Sequence, residues 1–235
     1  MKQTEETKLF DEQHAGRYDR EFAAVAPLKD AMHLITRFVL ADAPANARVL
    51  CVGAGTGAEL RYLAALFPDW TFTAVDPTAA MLRRCHEACD KAGILARCRF
   101  HEGTLDTLED ETPYDVATSV LVSHFILERS ARVAFFAEIA RRLRPGGRLV
   151  SADICADTAG ADFDGLFGVW QNMHRFLGKN EAEVTGMLPM LREKVAILSQ
   201  EEIAALMVEG GFSQPVPLYQ AMMMRAWSAR RAGGR

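Results

Sequence analysis

An apolar run, Val49-Leu50-Cys51-Val52, passes directly into Gly53-Ala54-Gly55-Thr56-Gly57, and a helix-like pattern opens at Ala58-Glu59-Leu60. Glycine has no Cβ, so a loop built on alternate glycines turns sharply from strand to helix and lets a ligand approach the backbone closely. A second apolar run, Phe72-Thr73-Ala74-Val75, ends on Asp76, at roughly the ~20-residue spacing of an acid that grips ribose hydroxyls. A glycine loop after one strand and an acid after the next point together to a bound nucleoside.

The rest of the chain keeps the same rhythm. Apolar positions Phe22, Val25, Leu28, Met32, Ile35, Phe38 and Val39 predict a helix over 21–41. Strands are expected at 47–52, 71–75, 98–101, 114–120 and 148–153, with helices over 57–67, from Pro77-Thr78 to near Gly93, and over 130–143. Alternation of this kind gives a doubly wound, mostly parallel α/β sheet with helices on both faces. After Asp153 two helix-like stretches, 161–177 and 181–194, follow without a strand between them. Ser199-Gln200-Glu201-Glu202 has the form of a capping box that opens a helix closing at Gly210-Gly211. Two strands, from Phe212 to Leu218 and from Ala221 to Ser228, complete the sheet, and Pro215 and Pro217 favour an edge position for the first. The expected organisation is a helical cover over 1–46, an α/β core over 47–156, a helical lid insertion over 157–198 and a closing helix and strand pair over 199–235.

Bulk properties bound the function classes. A chain of 235 residues suits one large domain or a domain with an insertion. The net charge of −4 argues against nucleic acid as partner, and the clusters Arg141, Arg142, Arg144 and Arg225, Arg230, Arg231, Arg235 read as solvated faces and a tail. Five cysteines do not form a disulfide framework in a chain of this size. Cys85 and Cys89 share a helix face, but no second ligand pair has zinc spacing, so no metal is expected. Met1 to Glu6 is polar and acidic, unlike a signal peptide, and no apolar run approaches the ~18 residues that span a bilayer. The expectation is a reduced, cytoplasmic protein acting on a small molecule, with a homodimer left open.

Gly53-x-Gly55-x-x-Ala58 satisfies the dinucleotide fingerprint with alanine last, so the loop alone does not choose the cofactor. Gly57 makes the series Gly-x-Gly-x-Gly, Asp76 is followed by Pro77, the fourth strand by Leu121-Val122-Ser123-His124-Phe125, and Leu143-Arg144-Pro145-Gly146-Gly147 precedes the fifth strand. With these ordered motifs, residues 47–153 resemble the class I S-adenosylmethionine-dependent methyltransferases. Phe10-Asp11 and Arg17-Tyr18-Asp19 look like the entry motif that many members place over the cofactor. More distantly, residues 166–228 are similar to carboxy-S-adenosylmethionine synthases, through Leu166-Phe167, Asn172-Met173-His174, Met190-Leu191 and Leu198-Ser199.

The resemblance implies S-adenosyl-L-methionine as cofactor and S-adenosyl-L-homocysteine as product. It implies that Gly53, Ala54, Gly55 and Gly57 line the methionyl part, that Asp76 accepts from the ribose, and that Pro77 and Met81 pack near the adenine. Thr104 and Leu105 would flank the adenine edge, and Val120 would lie under the methionine. The chain departs from the family at Cys51 and at Thr104, where an acid is common. A threonine hydroxyl still accepts a hydrogen bond; a thiol does not replace a carboxylate.

Catalytic candidates follow from position. His124 comes after the fourth strand, at the carboxyl edge where open parallel sheets bind ligands, and is the leading base or substrate contact; the bland reading is a packed histidine. Tyr18, with Arg17, either closes over the cofactor or substrate or anchors the N-terminal helix. His174 and Arg175 lie on the insertion among apolar residues that read as core, dimer contact or substrate cage. The function expected is methyl transfer to a small molecule. Its rivals are the carboxy-S-adenosylmethionine synthase reaction, a non-catalytic cofactor-binding module and a nicotinamide oxidoreductase. The synthases hold the extra carboxylate with a lid arginine, where this chain has Leu188 and Pro189, with Arg192 one turn later.

Overall fold

A computed structural model describes residues 23–233, which form a seven-stranded sheet of order β3-β2-β1-β4-β5-β7-β6. The strands are β1 (Arg48–Val52), β2 (Thr71–Asp76), β3 (Cys98–Glu102), β4 (Tyr114–Val120), β5 (Leu143–Ile154), β6 (Val216–Ala221) and β7 (Met224–Arg230). The first five pair in parallel, and β7 runs antiparallel between β5 and β6. Around them lie α1 (Ala26–Val39), α2 (Ala58–Leu66), α3 (Ala79–Lys91), α4 (Arg129–Arg142), α5 (Phe163–Phe176), α6 (Glu181–Thr185), α7 (Met187–Lys194) and α8 (Gln200–Glu209).

The continuous apolar run of β1 is that of a strand covered on both faces. Val49 and Cys51 pack with Leu60, Leu63, Trp70, Leu82 and Cys85 on one side, while Leu50 and Val52 pack with Phe136, Ile139, Ile203 and Leu206 on the other. This period of two places α2 and α3 on one face and α4 and α8 on the opposite face. Val52, Asp76 and Val120 end their strands at one edge, where the order reverses between β1 and β4, and there the chain leaves room for a ligand.

Several expectations are corrected. The first helix begins at Ala26, after a tight turn at Ala23–Val25, with Pro27 in its first turn. Phe38 is 65 % exposed, and His33 and Thr36 face inward instead. β5 starts before Pro145 because Leu143 already pairs with Tyr114, and a bulge then resets the register to Val116–Arg148. The 181–194 stretch breaks at Gly186. A continuous helix would hold Pro189 in its interior; the break puts it in the first turn of α7, where a missing N–H costs least. Arg142 is not solvated: it is buried and donates to the carbonyls of Leu108 and Asp110. Other expectations stand. Ser199 and Glu202 exchange both hydrogen bonds of a capping box, and β6 lies at the sheet edge.

Helices α5 and α7 share a small core of their own. Phe163, Phe167 and Trp170 of α5 pack with Met187, Leu191 and Val195, and this cluster rests on Ile154 and Met223 of the main body. Phe176, at the end of α5, is 71 % exposed. Tyr18, the rest of the Phe10-to-Asp19 motif and Phe22 lie outside the described residues.

Candidate active site

The three alternate glycines serve different ends. All have positive φ, which favours glycine. A Cβ on Gly53 would stand 2.4 Å from a Val122 methyl, and one on Gly57 would stand 2.5 Å from the Cys85 sulfur, so these two permit close packing of the segment after β4 and of α3 on the loop. A Cβ on Gly55 would meet nothing within 4 Å and would project into open space. Asp76 fixes the loop from the end of β2: its Oδ2 accepts from the Gly55 N–H at 2.8 Å and its Oδ1 from the Thr78 N–H at 2.8 Å. Burial pushes its carboxyl above the usual range, and those two N–H groups oppose the shift.

Above the loop lies a cavity of about 570 Å³, within the ~300–1,000 Å³ usual for small-ligand sites. Gly53, Ala54, Gly55, Asp76, Pro77, Met81, Thr104, Leu105, Val120 and His124 all line it. Gly57 does not, because its Cα faces Cys85. The far wall is built by parts of the chain distant in sequence: Lys29, Met32 and His33 of α1, Trp170, Met173 and His174 of α5, Phe135 of α4, and Tyr219 and Met224 of the last strands. Tyr219 holds α1 in place by donating to the Leu28 carbonyl at 2.8 Å.

His124 sits in a short helical turn, Ser123–Phe125, after a strained residue: Leu121 has φ 59°, costly for a side chain with a Cβ. That bend lays Val122 on Gly53 and turns His124 back toward β5. Its Nδ1 is 3.1 Å from Asp153 Oδ1 and 3.4 Å from the Ile154 N–H. These contacts demand opposite tautomers. The shorter, to a carboxylate, assigns Nδ1 as donor and leaves Nε2 as the acceptor nitrogen. Asp153 is fully buried, accepts from the His124 N–H at 2.9 Å and from Ser123 Oγ at 2.8 Å, and has the Arg132 guanidinium 3.4 Å away as countercharge. Arg132 also donates to Ser123 and to the carbonyl of Ala196, and the Ala196 N–H donates to the His124 carbonyl. The segment that follows α7 is thereby tied to the histidine.

Two histidines of the cavity wall, His33 and His174, are pushed toward the neutral form. Burial, then Lys29, lowers His33 to about 4 against the opposing Asp30, and burial, then Lys179, lowers His174. The carboxyl side is richer than the sequence reading held. Glu59, on the first turn of α2, is 9 % exposed, lines the cavity and accepts from Thr118 Oγ1 at 2.5 Å. Burial pushes it up to about 7. Asp153 and Glu59 were not among the residues expected from sequence. The signal for Glu59 was available: a carboxyl two residues past the last loop glycine, close behind a strand that lacks one. Cys51 itself is fully buried, and burial followed by Glu59 pushes its thiol up.

Sheet order, glycine loop and acid at the end of β2 define a class I methyltransferase fold. Residues 49–147 match the family model of the methyltransferase domain. It is 29 % identical over 151 residues to a demethylmenaquinone methyltransferase of Tropheryma whipplei, covering 63 % of this chain and 59 % of that one. It is 33 % identical over 103 residues to an uncharacterised protein of Synechococcus, covering 43 % of this chain and 24 % of the relative. The chain thus spans less than two thirds of either relative. Among solved structures, an O-methyltransferase family protein from Burkholderia thailandensis superposes with a TM-score of 0.70 at 14 % identity, over 96 % of this chain and 61 % of that one. At that identity the likeness shows the fold.

Proposed function

We propose that this protein is an enzyme that transfers a methyl group from S-adenosyl-L-methionine to an ionisable hydroxyl of a small, largely apolar acceptor, and releases S-adenosyl-L-homocysteine. The observation that carries the reading is the Asp153–His124 pair on the wall of the cavity that also holds Gly55 and Asp76. When bound, the cofactor supplies an electrophilic methyl group on a sulfonium. The residues present fit such a ligand: an open face at Gly55, two carboxyls, and His33 and His174 held toward the neutral form.

Gly53, Ala54 and Gly55 would run beside the amino-acid tail, and Asp76 has lone pairs left for ribose hydroxyls beyond its two N–H donors. Pro77, Met81, Thr104 and Leu105 would enclose the adenine, and Val120 would lie beneath the tail. His124 Nε2 takes the proton of the acceptor hydroxyl, and the carboxylate of Asp153 stabilises the imidazolium so formed. Trp170, Met173 and Phe125 give the acceptor an apolar wall, and the lid excludes water from it. Tyr18 is proposed to complete that cover. Alignment of donor and acceptor then supplies much of the rate.

The carboxy-S-adenosylmethionine synthase reading has less support. Leu188 packs in the lid core, Arg192 is exposed, and among the described residues no guanidinium lines the cavity. The five cysteines are all free, which supports a reduced, cytoplasmic setting. Among the described residues no helix is long and apolar enough to cross a membrane. The test is calorimetry with S-adenosylhomocysteine and NAD in parallel, then transfer of labelled methyl to a panel of phenols and enols. Binding of NAD alone overturns the cofactor, and cofactor binding without transfer to any hydroxyl overturns the acceptor class.

A further inference from the structure

We propose that Glu59 receives the ammonium group at the amino-acid end of the cofactor, and that cofactor binding therefore discharges a proton from this site. The proposal rests on the S-adenosylmethionine reading above. Glu59 lies on the first turn of α2, immediately beyond the glycine loop, and lines the cavity. Thr118 of β4 holds its Oε1, and no ion pair to it is present among the described residues. A carboxyl buried without a cation is costly and is retained where something else supplies the charge. Asp76 ends β2 and Glu59 stands against β4, with β1 between them. Two strand spacings, about 10 Å, separate a ribose end from a tail end.

The groups that face Glu59 reinforce this. Behind it are Thr118 of β4 and the thiol of Cys51 on β1, and Lys29 and His33 of α1 line the same cavity. The thiol is un-ionised and the histidine neutral, and Lys29 leaves the Glu59 carboxyl unshifted, so none of the three supplies its charge. Its carboxyl sits at about 7 in the free protein, and a cation selects the ionised form. Affinity then scales with the ionised fraction, and should be about tenfold higher at pH 8 than at pH 6.

The test is calorimetry with S-adenosylhomocysteine and with its analogue lacking the amino group, on the whole chain between pH 6 and pH 8. Wild type should bind S-adenosylhomocysteine about tenfold more tightly at the higher pH. Glu59→Gln keeps the size and the bond to Thr118, and should bind it about 10- to 100-fold more weakly with no such dependence. The analogue should bind both proteins alike. If Glu59→Gln binds S-adenosylhomocysteine as wild type does, or weakens both ligands equally, the assignment is wrong. Should that variant not fold, titration of wild type at pH 7 in two buffers of different ionisation heat decides: about half a proton released supports the proposal, none overturns it. Failure of wild type to bind either ligand at any pH refutes the cofactor reading itself, and this proposal with it.

Discussion

The free protein should be measurably stabilised by removing the very carboxyl proposed to bind its ligand. Glu59 has an ordinary value of 4.5 and is pushed up to about 7 by burial, so the folded state binds its proton more tightly than the unfolded chain does. Between those two values the native state holds more protons, and stability falls as pH rises. At about 1.4 kcal/mol per tenfold step in acidity, the loss approaches ~3 kcal/mol by pH 8. Glu59→Gln abolishes the ionisation and keeps an acceptor for Thr118, but its amide N–H groups must be buried, at a cost of about 1 kcal/mol. The variant should therefore be about 2 kcal/mol more stable than wild type at pH 8. For a chain of this size that is about 4–8 °C in Tm. At pH 5 the wild-type carboxyl is already protonated in the fold, and the advantage should vanish or reverse. Urea melts of both proteins at pH 5, 6.5 and 8 measure this. Parallel pH profiles for the two would mean that Glu59 is solvated and would falsify the account of its burial.

Other expectations follow from the same geometry. Asp76→Ala should weaken S-adenosylhomocysteine by about 10- to 100-fold, and amide exchange at Gly55 should rise because its acceptor is gone; unchanged affinity in a folded variant rules out the ribose role. Gly57→Ala should cost about 1–3 kcal/mol of stability through contact with Cys85, whereas Gly55→Val, strained by its positive φ but free of contacts, should abolish cofactor binding; denaturant melts and calorimetry separate them. His124→Ala should lower kcat by roughly 10²- to 10⁴-fold with cofactor affinity intact; a fall in affinity instead would make it a packing residue. Hydrogen exchange should slow over 157–195 and around Tyr18 when S-adenosylhomocysteine and acceptor bind; no change in either segment would make the insertion a static structural unit.

Periodicity carried most of the strand and helix positions, because a two-face-covered strand such as Val49 to Val52 and a capping box such as Ser199 to Glu202 are written in consecutive residues. Boundaries failed where a distant partner decided them. β5 reaches back past Pro145 because Tyr114 is there to pair with Leu143. The inner face of α1 is Met32, His33 and Thr36 rather than Phe38, because Tyr219 and Tyr62 lie against it.

For the site, sequence alone determined the parts that obey local rules. The glycine loop and the acid at the end of the next strand are set by backbone conformation and by spacing, and both can be counted along the chain. Tertiary structure alone decided how those parts are charged and enclosed. Asp153 reaches His124 across 29 positions and Thr118 reaches Glu59 across 59. Whether such groups pair, and whether burial neutralises them, depends on what lies between each one and water. No local pattern encodes that quantity, since it is set only when the helices pack over the edge of the sheet.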